Sequence, residues 1–363
     1  MKNFREIASN IIHDDRRRAV HHVLYPFSLL YGGAVECRNR LYDGKLLPVR
    51  RLPCPVVSVG NLTVGGTGKT PTVIMLAKLL LERGYRPAVL SRGYGGKSGS
   101  DIIVVSDGRS VLVDHTVAGD EPVLIAKSLR SVPVITGTRR HRAGIIAIDR
   151  FRANVLILDD GFQHRALARN VDIVLLDAAR PFGNGCMLPR GMLREPMKSL
   201  SRATVIVATA SAQGREEKGN LKETLAAYSP AAPLFHGYRR VAEITDGFLN
   251  PAGTPESLAG KKVLAFSGIA NPEGFQKTAA PLSGGLVRFI TFPDHHRYGG
   301  GDIDRIRRAQ QESGADCILT TEKDAVKLVD FPDFVRNISV LRIVMEIQPS
   351  AAFEHTILER IAT

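Results

Sequence analysis

The 363-residue chain lacks tryptophan altogether, and aromatic residues make up only 6% of it. No basic stretch is interleaved with aromatic side chains, which is the pattern that stacks the bases of nucleic acids. We therefore predict no nucleic-acid partner, although the charge alone keeps a basic nucleic-acid-binding protein as an alternative. The net charge of +13 favours partners that are themselves negative, such as anionic lipids or a phosphorylated substrate.

Cysteine is also scarce. The chain has four cysteines, which lie far apart in the sequence, at Cys37, Cys54, Cys186 and Cys317. No CxxC pair occurs, so neither a zinc site nor a disulfide framework is predicted. A reducing cytosolic compartment is the simplest interpretation.

Long apolar runs are missing as well. No segment reaches the ~18 consecutive apolar residues that a transmembrane helix needs. Charged residues fill the first positions, where a secretory signal would have an apolar core, so we expect no signal peptide.

A shorter apolar pattern does occur near the N-terminus, with helical i, i+3, i+4, i+7 spacing. Its members are Val20, Val23, Leu24, Phe27, Tyr31 and Ala34, preceded by Arg16, Arg17 and Arg18. An apolar face with a basic flank is typical of a helix in a membrane interface, but a helix docked on the protein's own core has the same pattern. Pro26 is expected to kink or restart this helix.

Beyond residue 50, short apolar runs alternate with helical stretches, which predicts a mostly parallel sheet covered on both faces. We expect an α/β fold: a P-loop NTPase-like sheet, a second and smaller α/β domain, and an N-terminal amphipathic helix. The predicted divisions are a helical segment at 1–50, a P-loop domain at 51–245 and the smaller domain at 246–363. The Gly- and Pro-containing run from Gly247 to Gly260 is the predicted linker.

The segment VSVGNLTVGGTGKTPTV resembles a phosphate-binding loop between a strand and a helix. The strict pattern has glycine where this chain has Thr63, but Gly65 and Gly66 are expected to supply positive φ and close backbone approach. Lys69 would reach the β- and γ-phosphates, and the Thr70 hydroxyl would bind Mg²⁺. The predicted ATP-binding residues are Thr63, Val64, Gly65, Gly66, Thr67, Gly68, Lys69 and Thr70. A Gly-rich turn with an incidental lysine is the alternative.

A second acidic motif, NVLILDDGFQH, ends an apolar strand in Asp159 and Asp160. Because ligands of parallel sheets bind outside the carboxyl ends of strands, this pair should reach the crevice of the loop. Carboxylates and phosphate oxygens are ligands that Mg²⁺ prefers. Gln163 and His164 follow and are candidates to position a phosphate or the acceptor. The alternative is a turn capped by two aspartates.

Two further segments carry candidate proton-transfer groups. Asp120 and Glu121 in AGDEP are candidates for a base or a metal contact, although an acidic cap before a Pro-led helix is common. Asp294 and His295, in FPDHHRY, could orient a base or form only a loop network. Arg92 and Arg194 could bind phosphate or simply be solvated surface residues.

These motifs alone leave three functions open: a P-loop small-molecule kinase, a GTPase-like switch, or a basic nucleic-acid-binding protein. A guanine-selective NKxD motif is missing, and TTEKD at Thr320–Asp324 is only loosely similar to it.

Taken together and in order, the motifs resemble the tetraacyldisaccharide 4'-kinase family of lipid A synthesis. The segments that carry the resemblance, from about Pro55 to Leu328, are GNLTVGGTGKTP, SRGYGG, GDEP, LDDGFQHR, LPRGMLREP, FPDHHRY and TTEKDAVKL. The resemblance implies a kinase that uses ATP and Mg²⁺. Its acceptor would be the 4'-hydroxyl of a tetraacyldisaccharide 1-phosphate, and its product lipid IVA.

The resemblance also implies residue roles. Asp120 would be the base and His295 its partner, with Thr70, Glu121, Asp159 and Asp160 at the metal. Lower-ranked substrate or phosphate residues are Arg92, Tyr94, Gln163, His164, Arg194, Glu195 and Asp294. The implied partners are a lipid-linked acyl-disaccharide and a membrane surface with anionic lipids, with no obligate protein partner. The implied location is peripheral, on the cytoplasmic face of the bacterial inner membrane.

Overall fold

The computed structural model describes residues 18–93, 101–211 and 221–362. Its framework is one 13-stranded sheet. The strands are β1 (Val56–Asn61), β2 (Pro87–Ser91), β3 (Ile102–Asp107), β4 (Pro133–Gly137), β5 (Val155–Asp159), β6 (Val171–Asp177), β7 (Val205–Ser211), β8 (Leu234–Asp246), β9 (Pro251–Gly253), β10 (Lys262–Ser267), β11 (Gly285–Thr291), β12 (Cys317–Thr321) and β13 (Ile338–Gln348).

Helices flank this sheet. The α-helices are α1 (Arg18–Asp43), α2 (Lys69–Glu82), α3 (His115–Ala118), α4 (Asp120–Ser128), α5 (Arg140–Phe151), α6 (Leu221–Tyr228), α7 (Pro272–Ala279), α8 (Gly300–Ser313), α9 (Glu322–Ala325), α10 (Pro332–Val335) and α11 (Ser350–Ala362). Short 3-10 helices cover Met197–Arg202, Pro255–Leu258 and Ala280–Leu282.

The strand order is β11-β10-β12-β13-β8-β7-β6-β1-β5-β2-β4-β3, with β9 attached to β8. Neighbouring strands are parallel except for the pairs β3–β4, β8–β9 and β8–β13. The predicted mostly parallel α/β sheet is therefore confirmed. In the centre, β1 lies between β5 and β6, with Val59 opposite Asp159.

Continuous apolar strands are buried here on both faces. Val57 of β1 packs in a cluster with Leu76 and Leu80 of α2, whereas Val56 packs in a cluster with Ala143 of α5. The helix α2 buries residues at the spacing i, i+3, i+4 and i+7, and it ends before Gly84, whose φ is 80°. This packing fixes the strand–loop–helix unit that the phosphate-loop motif predicts.

The sequence patterns predicted neither the edge strand β3 nor the long strand β8. Residues of β8 pair in parallel with β7 through Arg239 and antiparallel with β13 through Asp246. The sheet thus continues across the predicted boundary at residues 245 and 246. The division into 51–245 and 246–363 stays a prediction.

The N-terminal helix α1 is continuous through Pro26 rather than restarted there. Its docked side is polar: the Ser28 hydroxyl donates to the Met187 carbonyl at 2.7 Å, and the Tyr31 hydroxyl donates to the Arg194 carbonyl at 3.0 Å. Many of its apolar residues face outward, with Val23 67%, Phe27 58% and Leu30 73% exposed, whereas Val35 is buried. The apolar face is therefore not what attaches α1 to the protein.

Across the described ranges, no helix combines the length and the apolar character that crossing a bilayer requires.

Close packing of Gly60 against Phe162 generates a stability prediction. A Cβ at Gly60 would lie 2.6 Å from the Phe162 Cβ, and Phe162 is fully buried. We expect Gly60→Ala to lower the free energy of unfolding by about 1–3 kcal/mol, the usual cost of overpacking. Urea denaturation measures this difference. Gly285→Ala is the control, because no atom lies within 4 Å of a Cβ at that position; equal losses in both variants would contradict the prediction.

Candidate active site

The carboxyl ends of β1 and β5 bring the phosphate loop and the acidic pair together. The loop follows β1, Asp160 follows β5, and these strands are neighbours in the sheet. The Lys69 Nζ lies 3.5 Å from the Asp160 Oδ1. Lys69 and Thr70 are the first two residues of α2, so their side chains and the helix N-terminus share one crevice.

The loop backbone corrects one expectation. The glycines with positive φ are Gly65 at 120° and Gly68 at 85°, whereas Gly66 was expected to supply this conformation and does not. Gly68 has a packing reason, since a Cβ there would lie 2.7 Å from the Met345 Cε. Thr63 forms an antiparallel bridge with Leu193, which extended backbone with a side chain allows.

Side chains and backbone groups outside the loop hold it in place. The Val64 N–H donates to the Met192 carbonyl at 2.8 Å. The Thr209 hydroxyl donates to the Thr67 carbonyl at 3.0 Å, and the Asn61 amide donates to the Thr67 hydroxyl at 3.2 Å. The loop is thus fixed before any phosphate arrives.

Asp159 and Asp160 are adjacent in sequence but differ in charge environment. Burial raises the pKa of Asp159, and the neighbouring carboxylates of Glu121 and Asp160 raise it further. Burial would also raise the pKa of Asp160, but the charges of Lys69 and Arg194 lower it to about 2. Glu121 is therefore close enough to act electrostatically on Asp159.

Arg194 makes the strongest contact to Asp160. Its Nη1 donates to Oδ1 at 2.7 Å and its Nη2 to Oδ2 at 3.1 Å, which is the bidentate geometry of a guanidinium on a carboxylate. Gln163 lies beside this pair, with its amide donating to the Asn61 carbonyl at 2.9 Å.

His164 lies in a basic part of the same region. Burial lowers its pKa to about 4, and the charges of Arg140, Arg169 and Arg92 contribute. Arg92 is thus close enough to act electrostatically on His164. The imidazole of His164 is neutral at neutral pH.

Glu195 has a different position from its neighbour Arg194. It is fully buried and accepts from the Arg38 Nη2 at 2.8 Å and the Arg202 Nη2 at 2.7 Å. The Asn39 amide of α1 also donates to it at 3.2 Å. The structure therefore places Glu195 in the docking contacts of α1 rather than with the Asp159–Asp160 pair.

Asp120 and His295 meet although 175 residues separate them. The His295 Nδ1–H donates to the Asp120 Oδ2 at 3.0 Å, and Asp120 is buried. Burial would raise the pKa of Asp120, but this hydrogen bond and the charge of Lys323 lower it to about 2. The hydrogen bond in turn raises the pKa of His295 above its ordinary value. Asp120 is thus ionised at neutral pH.

Lys323 is a site residue that the sequence interpretation missed. Its Nζ lies 3.2 Å from the Glu121 Oε1, 3.4 Å from the Asp294 Oδ1 and 3.8 Å from the Asp120 Oδ2. These carboxylates raise the pKa of Lys323 against the effect of burial. The lysine stands in the TTEKD motif, but nothing local in the sequence indicates which carboxylates it meets.

Arg140 was also missed. It is buried, and its Nη1 donates to the Gly137 carbonyl at 3.0 Å and its Nη2 to the Asp159 carbonyl at 3.1 Å. A basic run, TRRHR, was visible in the sequence, but it does not distinguish this one buried arginine from its exposed neighbours. Tyr94, another predicted site residue, lies outside the described residues.

Backbone strain coincides with both halves of the site. Asp160 has φ 51° and His295 has φ 57°, the left-handed region that residues other than glycine seldom occupy. Such conformations cost on the order of 1–3 kcal/mol each and persist where surrounding contacts enforce them. Within the parts of the chain that the structure describes, no group of three or more His, Cys, Asp or Glu side chains forms a metal cage.

Comparison with known proteins decides the family. Residues 20–362 match the family model described as tetraacyldisaccharide-1-P 4'-kinase. The chain belongs to this family.

Relatives within the tetraacyldisaccharide 4'-kinase family match along most of their length. The chain is 46% identical to the tetraacyldisaccharide 4'-kinase of Syntrophus aciditrophicus, over 93% of this chain and 92% of that protein. It is 44% identical to that of Desulfotalea psychrophila, over 85% and 88%. A crystal structure of the Aquifex aeolicus protein in complex with ATP matches with a TM-score of 0.78, 33% identity, and coverage of 94% of this chain and 99% of that one.

The Asp120–His295 hydrogen bond generates a pH prediction for this family member. Asp120→Asn should lower the pKa of His295, because the carboxylate that favours the protonated ring becomes a neutral amide. An NMR titration of the histidine rings measures the shift. Asp302→Asn is the matched control, since Asp302 pairs at 3.0 Å with the neighbouring His296. An unchanged His295 titration in Asp120→Asn would contradict the geometry.

Proposed function

We propose that this chain transfers the γ-phosphate of ATP to the 4'-hydroxyl of a tetraacyldisaccharide 1-phosphate, forming lipid IVA in lipid A synthesis. The observation that carries this proposal is the buried Asp120, which contacts His295 and Lys323 and lies on a helix next to that of the phosphate loop. Helix α4, which begins with Asp120, packs against α2, which begins with Lys69. A base and a phosphate-binding lysine therefore start neighbouring helices.

In this mechanism, loop N–H groups and Lys69 hold the ATP phosphates. Asp120 accepts the proton of the sugar hydroxyl as the hydroxyl oxygen attacks the γ-phosphorus, the bond from this phosphorus to the β–γ bridging oxygen breaks, and ADP leaves. His295 fixes the orientation of Asp120 through the Nδ1 hydrogen bond and balances its charge. Arg194 and Lys69 offset the negative charge that accumulates on the transferred group.

Asp159 of the acidic pair fits a Mg²⁺ ion. The Asp159 Oδ1 is buried and, among the described residues, has no hydrogen-bond partner, while Ser91 donates to the Oδ2 at 2.9 Å. A cation would satisfy this oxygen and relieve the repulsion from Glu121 and Asp160. Asp159, Glu121 and the Thr70 hydroxyl would hold the ion together with phosphate oxygens and waters, whereas Asp160, also expected at the metal, is already paired with Lys69 and Arg194. When bound, Mg²⁺ neutralises phosphate charge.

The exposed face of α1 supports a lipid acceptor. Val23, Phe27 and Leu30 recur at helical spacing and project away from the protein. An open groove of about 490 Å³ lies between α1 and the Cys186–Lys198 segment, with Arg40, Arg190 and Lys198 among its lining residues. Apolar walls with cations nearby suit a lipid that carries phosphate.

The same surface would hold the chain on the cytoplasmic face of the bacterial inner membrane, attracted by anionic lipids. In this proposal, residues 51–245 supply the loop and Asp120, and residues 246–363 supply His295 and Lys323. Approach of the two parts would exclude water and limit ATP hydrolysis. No obligate protein partner is needed.

Phosphate transfer tests the reaction. With γ-labelled ATP and purified acyl-disaccharide 1-phosphate, we expect Asp120→Ala to lower kcat by about 10²–10⁴-fold, as is usual for loss of a general base. Binding of ATP, measured by calorimetry, should stay near that of the wild type. The control is Asp302→Ala, which removes the carboxylate from the pair that Asp302 forms with His296 in the same region. Near-normal turnover in Asp120→Ala would refute the assignment of the base, and label appearing only in inorganic phosphate would refute the acceptor.

Vesicle binding tests the membrane surface. Replacing Val23, Phe27 and Leu30 together by serine should weaken partitioning onto phosphatidylglycerol-containing vesicles at least about tenfold, because burial of each such side chain is worth roughly 1.5–3 kcal/mol. The control is the double replacement of Val111 and Leu112 by serine, which removes exposed apolar residues elsewhere. Sedimentation with vesicles measures both. Equal partitioning of the α1 variant and the wild type would exclude this face as the membrane contact.

A further inference from the structure

The start of α2 offers the phosphates one backbone donor fewer than most helices do. The first residues of a helix leave their N–H groups free for a ligand, but Pro71, the third residue of α2, has none. The next N–H, of Thr72, already donates to the Gly68 carbonyl at 3.1 Å. Of the first four N–H groups, at Gly68, Lys69, Thr70 and residue 71, the last is therefore missing.

A guanidinium from a distant strand lies beside this loop. Arg239 stands on β8, opposite Ser211 of β7, where the parallel pairing of these two strands ends. Its Nη1 lies 3.3 Å from the Gly66 carbonyl, and a Cβ at Gly68 would lie 3.6 Å from its Cδ. Arg239 therefore borders the loop at the same edge of the sheet as Lys69.

Most of the donor capacity of Arg239 is unused. A guanidinium carries five N–H donors, and one long contact to a carbonyl satisfies one of them. Its Nε is buried without an acceptor in the described ranges, and no carboxylate of those ranges lies within 4.0 Å of its nitrogen atoms. A half-buried cation in this state favours an anion, since buried charges are stable when paired.

The next residue shows the opposite arrangement. Arg240 points to the other face of β8, is exposed, and pairs with Glu346 at 2.6 Å. Alternation along the strand thus separates an arginine with a protein partner from one directed at the phosphate loop.

We propose that Arg239 is a nucleotide-binding residue whose guanidinium donates to the α- or β-phosphate of the bound nucleotide, in place of the N–H that Pro71 lacks. The assignment to these phosphates follows from the contact with the loop backbone, which cradles them, whereas Lys69 reaches the β- and γ-phosphates. The inference rests on the ATP site of the proposed function and adds to it a residue from β8.

Calorimetric titration of the acceptor-free protein with ADP and with ATP tests this inference. Arg239→Gln should raise the Kd of both nucleotides about 10–100-fold, by the same factor, because charge-assisted hydrogen bonds to phosphate are lost. Arg240→Gln is the matched control and should leave both values within about twofold. An unchanged Kd in Arg239→Gln, or equal losses in the two variants, would overturn the proposal, and a loss confined to ATP would overturn the assignment to the α- or β-phosphate.

Melting of the nucleotide-free variants checks that the fold is retained. Should Arg239→Gln fail to fold, Arg239→Lys decides, since lysine keeps the charge but loses the planar fork; a Kd for ADP within about twofold of the wild type would then refute guanidinium recognition. Failure of the two proposals is distinguishable. Tight ADP binding without phosphate transfer to the acyl-disaccharide would refute only the proposed acceptor. Phosphate transfer together with an unchanged Kd in Arg239→Gln would refute only the role of Arg239.

Discussion

The carboxylate of Asp120 is kept ionised in a buried position by cationic groups from the other end of the chain. Burial alone would neutralise it, and the His295 hydrogen bond and the Lys323 charge reverse that tendency. Lys323 also contacts Glu121 and Asp294, so one ammonium group organises carboxylates from two distant segments. The surroundings of Asp120, the proposed base, therefore depend on contacts from both parts of the chain.

The acidic pair beside the phosphate loop also depends on charged neighbours for its ionisation, but these neighbours are different residues. Asp160 is ionised because Lys69 and Arg194 face it, whereas Asp159 has a raised pKa because it is buried beside other acids. Adjacent residues of one strand end thus differ in charge tendency through their surroundings alone. That difference suits a site in which Asp159 can bind a cation, whereas Asp160 is already paired with Lys69 and Arg194.

Local patterns predicted the elements well because their causes are local. Continuous apolar runs at β1 and β5 must be buried, and the loop glycines and GKT stand between a strand and a helix in the sequence itself. The long β8–β13 ladder and the positions of Lys323 and Arg140 depend on which segments meet in three dimensions. The spacing of residues within TTEKD or TRRHR does not indicate these contacts. The family resemblance implied the pairing of Asp120 with His295, but it did not indicate that Lys323 contacts the carboxylates around it.

The Arg194–Glu195 dipeptide connects Asp160, beside the phosphate loop, with the N-terminal helix α1. The sequence motifs indicated these two features separately. Arg194 donates to Asp160 through Nη1 and Nη2, and its backbone carbonyl accepts a hydrogen bond from the Tyr31 hydroxyl of α1. Glu195 is buried between Arg38 of α1 and Arg202. Removing one member of such a buried network leaves an unpaired charge, which typically costs about 3–5 kcal/mol. The helix with the exposed apolar face is therefore fixed to the phosphate site through two consecutive residues, and a shift of α1 cannot leave Arg194 undisturbed.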